Sequence, residues 1–321
     1  MNKILKDKSI KEIITEPWIL VILALFSCFL WGSAFPSIKK GYELFQIGSS
    51  DTYGQIIFAG IRFMISGLMI FLVCMLCRYS IKVTKEQLIK LIALALLQTT
   101  FQYFFFYIGM SHISGTSGSI LSALGTFFSV IMAPVFFKNE GLKLRKVVGV
   151  IIGFLGVIIL NYQGLVSGTF HFYGEGFIII SSLISALASI YTKKLTVLKI
   201  PSFAISGYQL FVGGFILLAA GFIGSGGEMA HFSVGGSLLL IYMGFISAAA
   251  FSIWTILLKY NGVGKVSIYK FSIPLFGAFL SFFLMGERNI QSSVVIAAIM
   301  VVVGILLINI ETRHPSQSVR K

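Results

Sequence analysis

Apolar residues run along the chain in long blocks, broken at short intervals by clusters of charge, glycine or proline. A helix needs about 20 apolar residues to cross the hydrocarbon of a bilayer. Blocks of that kind cover 18–38, 54–77, 87–108, 115–137, 144–162, 174–196, 204–225, 234–258, 264–285 and 292–310. Backbone polar groups in lipid must pair within the protein, and continuous apolar runs of this length do so as helices rather than as barrel strands. The pattern predicts an all-α integral membrane protein of ten transmembrane helices. Composition agrees: 57% of the 321 residues are hydrophobic, only 11% are charged and the mean hydropathy is +0.94. Water-soluble chains carry about 25% charged residues, so the expected solvent is the lipid bilayer.

The net charge of +14 suggests at first an acidic partner such as nucleic acid. Its distribution says otherwise. With the N-terminus in the cytoplasm and ten alternating spans, 21 of the 25 basic residues fall in cytoplasmic segments. Three (Lys39, Lys40, Arg288) fall outside, and Arg62 lies within the second span. That is the positive-inside asymmetry of a membrane protein with both termini cytoplasmic, expected in the cell membrane. Nucleic-acid binding needs one contiguous basic face, and here the charges are split among short segments. The first apolar run is too long for a signal peptide and reads as a retained helix. Cys28, Cys74 and Cys77 all lie in spans and are expected to pack as small apolar residues.

The chain also resembles itself. Gly156-Val-Ile-Ile-Leu-Asn161 closes the fifth span and Gly304-Ile-Leu-Leu-Ile-Asn309 the tenth; Phe136 to Glu140 matches Phe283 to Glu287. Lys39-Lys40 and Lys193-Lys194 close the first and sixth spans. The expectation is a cytoplasmic segment 1–17, two five-helix repeats at 18–163 and 164–311, and a tail 312–321. Five is odd, so the second repeat enters the membrane inverted. Inverted repeats can close around a midplane site from either face, the geometry of alternating access.

Further motifs carry a family resemblance. Leu30-Trp31-Gly32-Ser33-Ala34-Phe35 with Lys39, Ala59-Gly60-Ile61-Arg62-Phe63, and Tyr107 through Gly118 resemble the opening of an EamA domain. Glu140 with Gly149 and Gly156 resembles its close, and Pro274 with Gly286-Glu287 the same elements in a second copy. The chain is thus similar to the EamA branch of the drug/metabolite transporter superfamily. Phe127 stands where the first copy usually has proline, and Ser185 where the second often has tryptophan. The resemblance implies a cavity built from the first, third, fourth, sixth, eighth and ninth helices.

Ionisable residues inside a membrane mark functional sites by default. Arg62 and Lys270 are the two here, each also within reach of snorkelling to an interface. For Arg62 the alternative is an anchor on helix-end carbonyls. Lys270 precedes Pro274 by one turn, where a kink frees carbonyls beside a cavity. No Asp or Glu lies mid-span, which disfavours drug-cation antiport and leans toward solutes bearing a carboxylate. Candidate cavity residues are Trp31, Ser33, Gln98, Gln102, Tyr103, Tyr107, Ser119, Ser122, Ser189, Tyr191, Trp254, Tyr269 and Lys270. The alternative for the serines is hydrogen-bonded helix glue. Gly149, Gly153 and Gly156 form a stripe suited to close helix packing. The four histidines have no metal-ligand spacing, and no nucleotide-binding or hydrolase motif occurs; neither metal nor cofactor is expected. The expected function is secondary transport of small organic metabolites, by export or facilitated diffusion of amino acids or similar zwitterions, in a monomer or weak homodimer. The alternatives are a transporter of quaternary amines such as choline and a membrane-embedded lipid-processing enzyme.

Overall fold

A computed structural model describes residues 11–113, 115–141, 143–160, 170–198, 200–226, 233–285 and 292–309. Helix α1 spans Pro17–Leu44, α2 Thr52–Leu76, α3 Lys85–His112, α4 Gly115–Phe136 and α5 Leu144–Leu160. Then come α6 at Phe172–Val197, α7 at Ser202–Gly224 and α8 at Val234–Tyr260. Helix α9 covers 263–285 in three pieces, and α10 spans Ser292–Asn309. Six of them (α1, α2, α3, α6, α7, α8) are long and apolar enough to cross a membrane. Shorter apolar stretches, Leu121–Phe136 and Val295–Leu307, lie within α4 and α10. Among the described residues there is no strand.

Local chemistry sets several helix starts. Asp51 accepts from the Gly54 amide at 2.8 Å and Ser233 from the Gly236 amide at 3.0 Å, so each caps a first turn. Thr84 and Gln87 form a reciprocal capping box at the start of α3. Pro17 opens α1, where its missing N–H costs nothing. Helix α1 runs to Leu44, so Lys39 and Lys40 lie inside it rather than closing it as the sequence pattern suggests. Large apolar side chains such as Leu72, Phe215, Leu238 and Val302 stand exposed on the outside, a surface matched to lipid.

Glycines set the tightest helix contacts. A Cβ on Gly214 of α7 would lie 2.6 Å from the Met64 amide nitrogen of α2, and one on Gly304 of α10 would lie 2.6 Å from the Gly149 carbonyl oxygen of α5. Gly153 packs under Phe271 and Gly156 against Met300, so the α5 stripe is a packing face. Helix α1 packs on α8 and α9, while α6 packs on α3 and α4. These central helices surround the interior cavity; α2·α7 and α5·α10 flank them as pairs.

Candidate functional site: a central cavity with a lysine in its wall

An interior cavity of about 100 Å³ lies where α1, α3, α4, α6, α8 and α9 converge, with Arg62 of α2 at its wall. Its polar wall is built from a few side chains. Trp31 of α1 and Trp254 of α8 meet edge to face at 5.0 Å between ring centroids, and Trp31 also meets Phe251 at 5.4 Å. Lys270 Nζ sits over both indoles, 5.1 Å from the Trp254 centroid and 5.6 Å from that of Trp31. Ring quadrupoles attract a desolvated cation by about 2 kcal/mol. Among the described residues Lys270 makes no ion pair, and no carboxylate lines the cavity.

The backbone of α9 explains why lysine reaches this point. Pro274 has no N–H to give to the carbonyl of Lys270, four residues earlier. The chain tightens into a 3-10 turn over Ile268–Phe271 before Ser272–Met285 resumes as α-helix. The Tyr269 carbonyl is held by the Ser272 hydroxyl at 2.6 Å and by Cys28 Sγ at 3.2 Å. Successive residues of a helical turn point about 100–120° apart, and here Lys270 lines the cavity while Tyr269 is buried in the apolar core beside it.

Arg62 is buried, 2% exposed, and donates from Nε to Ser247 Oγ at 3.1 Å and from Nη1 to the Tyr107 hydroxyl at 2.8 Å. It therefore neither snorkels nor binds helix-end carbonyls; two hydroxyls on α3 and α8 hold it. That anchoring role belongs to two lysines. Lys39 Nζ donates to the Met110 and Ile113 carbonyls at 2.8 and 3.1 Å, at the end of α3. Lys193 Nζ donates to the Leu258, Lys259 and Asn261 carbonyls, at the end of α8. Glu140 meanwhile accepts from the Val263 and Gly264 amides at the start of α9.

Helix α3 carries two glutamines into the cavity. Residues Ala95–Phe101 form a π-helical turn, a feature frequent at functional sites. Gln98 accepts at Oε1 from the Thr192 hydroxyl at 3.0 Å, tying α3 to α6. Gln102 lies one turn further on, 9% exposed. Its Oε1, with Trp31 Nε1 and Trp254 Nε1, is buried without a hydrogen-bond partner among the described residues.

Of the residues expected from sequence, Trp31, Arg62, Gln98, Gln102, Tyr103, Ser122, Trp254 and Lys270 line this cavity. Five do not, and each has another place. Ser33 accepts from the Tyr242 hydroxyl, joining α1 to α8. Tyr107 holds Arg62. Ser189 bonds back to the Ser185 carbonyl within α6. Tyr191 packs on the apolar cluster around Leu91 and Leu195, and Tyr269 on the core around Trp254. The Ser119 side chain lies outside the described residues, as do Asn161 and the Gly286-Glu287 motif. Sequence reasoning missed Ser181 and Ser182, which line the cavity beside Ser185. Their position on the polar face of α6 was the available signal.

The family model for EamA-like transporters matches the chain twice, at residues 18–162 and 172–310. The chain belongs to the EamA-like transporter family. An uncharacterized transporter of Bacillus subtilis, YvbV, is 25% identical over 296 residues, covering 91% of this chain and 92% of its own. A second from the same organism, YoaV, is 22% identical over 89% of this chain and 96% of its own length. The uncharacterized inner membrane transporter YedA of Escherichia coli is 25% identical over 82% of both chains. A crystal structure 15% identical in sequence superposes with a TM-score of 0.74 over 92% of this chain and 97% of that one, a likeness of fold. This EamA-like chain is thus a multi-pass membrane protein of a transporter family, and its central cavity is where chemistry concentrates.

Proposed function

We propose that this protein is a secondary transporter that carries small carboxylate-bearing metabolites, amino acids or similar zwitterions, by alternating access, in export or facilitated diffusion. The carrying observation is Lys270. It is a cation in the cavity wall that has, among the described residues, no acid beside it, and it lies next to two indole N–H groups without acceptors there. A substrate carboxylate supplies the missing anion and accepts those donors, and such charge-assisted hydrogen bonds are the strong ones. At about 100 Å³ the cavity falls below the ~300–1,000 Å³ of drug-sized pockets, which fits a small solute.

In this reading ten helices span the membrane as two inverted repeats, α1–α5 and α6–α10. The packing supports it, because exchanging the halves maps the largest helix contacts onto one another. Helix α1 on α8 and α9 corresponds to α6 on α3 and α4, while α2·α7 and α5·α10 map onto themselves. Side chains follow the same exchange. Lys39 clasps the end of α3 as Lys193 clasps the end of α8. Cys28 donates to the Tyr269 carbonyl as Ser182 donates to that of Leu121. The lysine distribution supports cytoplasmic termini, and the printed name of the YedA relative, an inner membrane transporter, supports the cell membrane.

Two other readings have less support. A quaternary amine would need the tryptophan faces, which Lys270 already occupies. A lipid-processing enzyme needs a nucleophile or acid pair, and among the described residues the cavity wall holds neither acid nor histidine. The test is a thermal-stability screen of purified protein against carboxylates, amino acids and choline-like cations. Stabilisation by amino acids is expected; stabilisation by choline alone would overturn the reading.

A further inference from the structure

Gln102 has a different relation to the cavity from the glutamine one turn before it. The carbonyl oxygen of Gln98 is taken by Thr192. Gln102 also lines the cavity, and its carbonyl oxygen is buried and meets no donor among the described residues. Three polar atoms in this wall are left without partners, and they differ in kind. Trp31 Nε1 and Trp254 Nε1 are donors, grouped with the Lys270 ammonium; Gln102 Oε1 is an acceptor. They also come from different helices: the indoles and the lysine from α1, α8 and α9, Gln102 from α3.

We infer that Gln102 is the specificity-determining residue for the amino end of the substrate: its Oε1 accepts an N–H while the carboxylate lies toward Lys270. The inference rests on the proposed transport of carboxylate-bearing solutes and sharpens it to solutes that carry an N–H donor. A neutral amide suits this task in a cavity that needs a free lysine. A carboxylate at the same position would bind an ammonium more strongly, but it would also neutralise Lys270 and take the place of the substrate's own acid. Buried acceptors discriminate steeply, because an analogue lacking the donor leaves them unpaired and desolvated. A deaminated acid keeps the carboxylate but has nothing for Gln102. An N-trimethyl betaine keeps both charges, yet it has no N–H and brings methyl groups against the oxygen. Gln102 thus separates amino acids from both relatives, which match them at the carboxylate end.

The experiment uses the full-length protein purified in detergent. The twenty common amino acids are titrated by ligand-dependent thermal stabilisation. Each that binds is then compared with its deaminated acid and its N-trimethyl betaine. Wild-type protein is expected to prefer the amino acid by at least about tenfold over either analogue. Gln102→Met, similar in size but without the acceptor, is expected to bring those ratios to within about threefold of unity, since the donor that amide accepts then has no partner. Gln102→Leu is a second variant should the first fail to fold, and each ratio is taken within one protein, so a general loss of stability does not move it. Wild-type binding of deaminated acids as tightly as amino acids overturns the inference, as does a ratio unchanged in the variant. Both leave carboxylate transport standing. If neither amino acids nor carboxylates bind, the proposed function falls, and this inference with it.

Discussion

Lys270 Nζ lies 5.1 Å from the centre of the Trp254 ring, and among the described residues no anion lines the same cavity. The pair joins α9 to α8 and leaves a charge only partly compensated. Burying a charge without a partner is costly, so the lysine is expected to oppose folding in the unliganded protein. Lys270→Met should raise the thermal transition of the empty protein while removing its response to amino acids. A lower transition would mean that the lysine is a structural strut.

Arg62 should behave in the opposite way. Its two hydroxyl partners, Ser247 and Tyr107, are themselves in the interior, and hydrogen bonds to a charged group contribute about 1.5–3 kcal/mol each. Arg62→Met is expected to destabilise the fold by about 3–6 kcal/mol for the two bonds together, read as a large fall in the thermal transition. A variant as stable as the wild type would contradict a structural role for that network.

The contrast between these two cations marks how far the sequence was legible. Both were visible as charges inside apolar blocks, because lipid makes any such charge conspicuous. Their partners were not, since hydroxyls as common as Ser247 and Tyr107 carry no signal of a long-range bond. Trp31, Gln98, Gln102 and Trp254 were readable as polar or amphipathic groups in otherwise apolar helices. Tyr269 misled because its neighbour Lys270 lines the cavity, whereas successive residues of a helical turn point about 100–120° apart. The π-turn at Ala95–Phe101 left no trace in the spacing of residues. The end of α1 was misjudged because Lys39 stops the apolar pattern while its ammonium reaches back to helix-end carbonyls.

The Lys193 and Glu140 clasps lead to a prediction about motion. Lys193 ties α6 to the end of α8, and Glu140 ties the α4–α5 connection to the start of α9. Releasing them should favour opening on that face. In a Cys74→Ser, Cys77→Ser background, Lys193→Met is expected to speed maleimide labelling of the buried Cys28 severalfold. Equal labelling rates would mean that this clasp holds no gate.

Close packing at the flanks gives a stability test independent of substrate. Gly214→Leu and Gly304→Leu would each drive a side chain into the backbone of the facing helix, and overpacking typically costs about 1–3 kcal/mol or more. Both should lower the yield of monodisperse protein. Gly235→Ala, where a Cβ meets nothing within 4 Å, should be neutral. Equal tolerance at all three positions would rule out the glycine contacts as determinants of helix pairing.

Flux is the most direct test that the Lys270 cavity carries solute. Purified protein in liposomes, preloaded with the amino acid that stabilises it most, should exchange radiolabelled amino acid across the membrane. Lys270→Gln, folded and reconstituted to the same level, should lose at least about tenfold of that flux, as expected when one charge-assisted hydrogen bond is removed. Undiminished exchange by the variant would contradict a carboxylate site at Lys270.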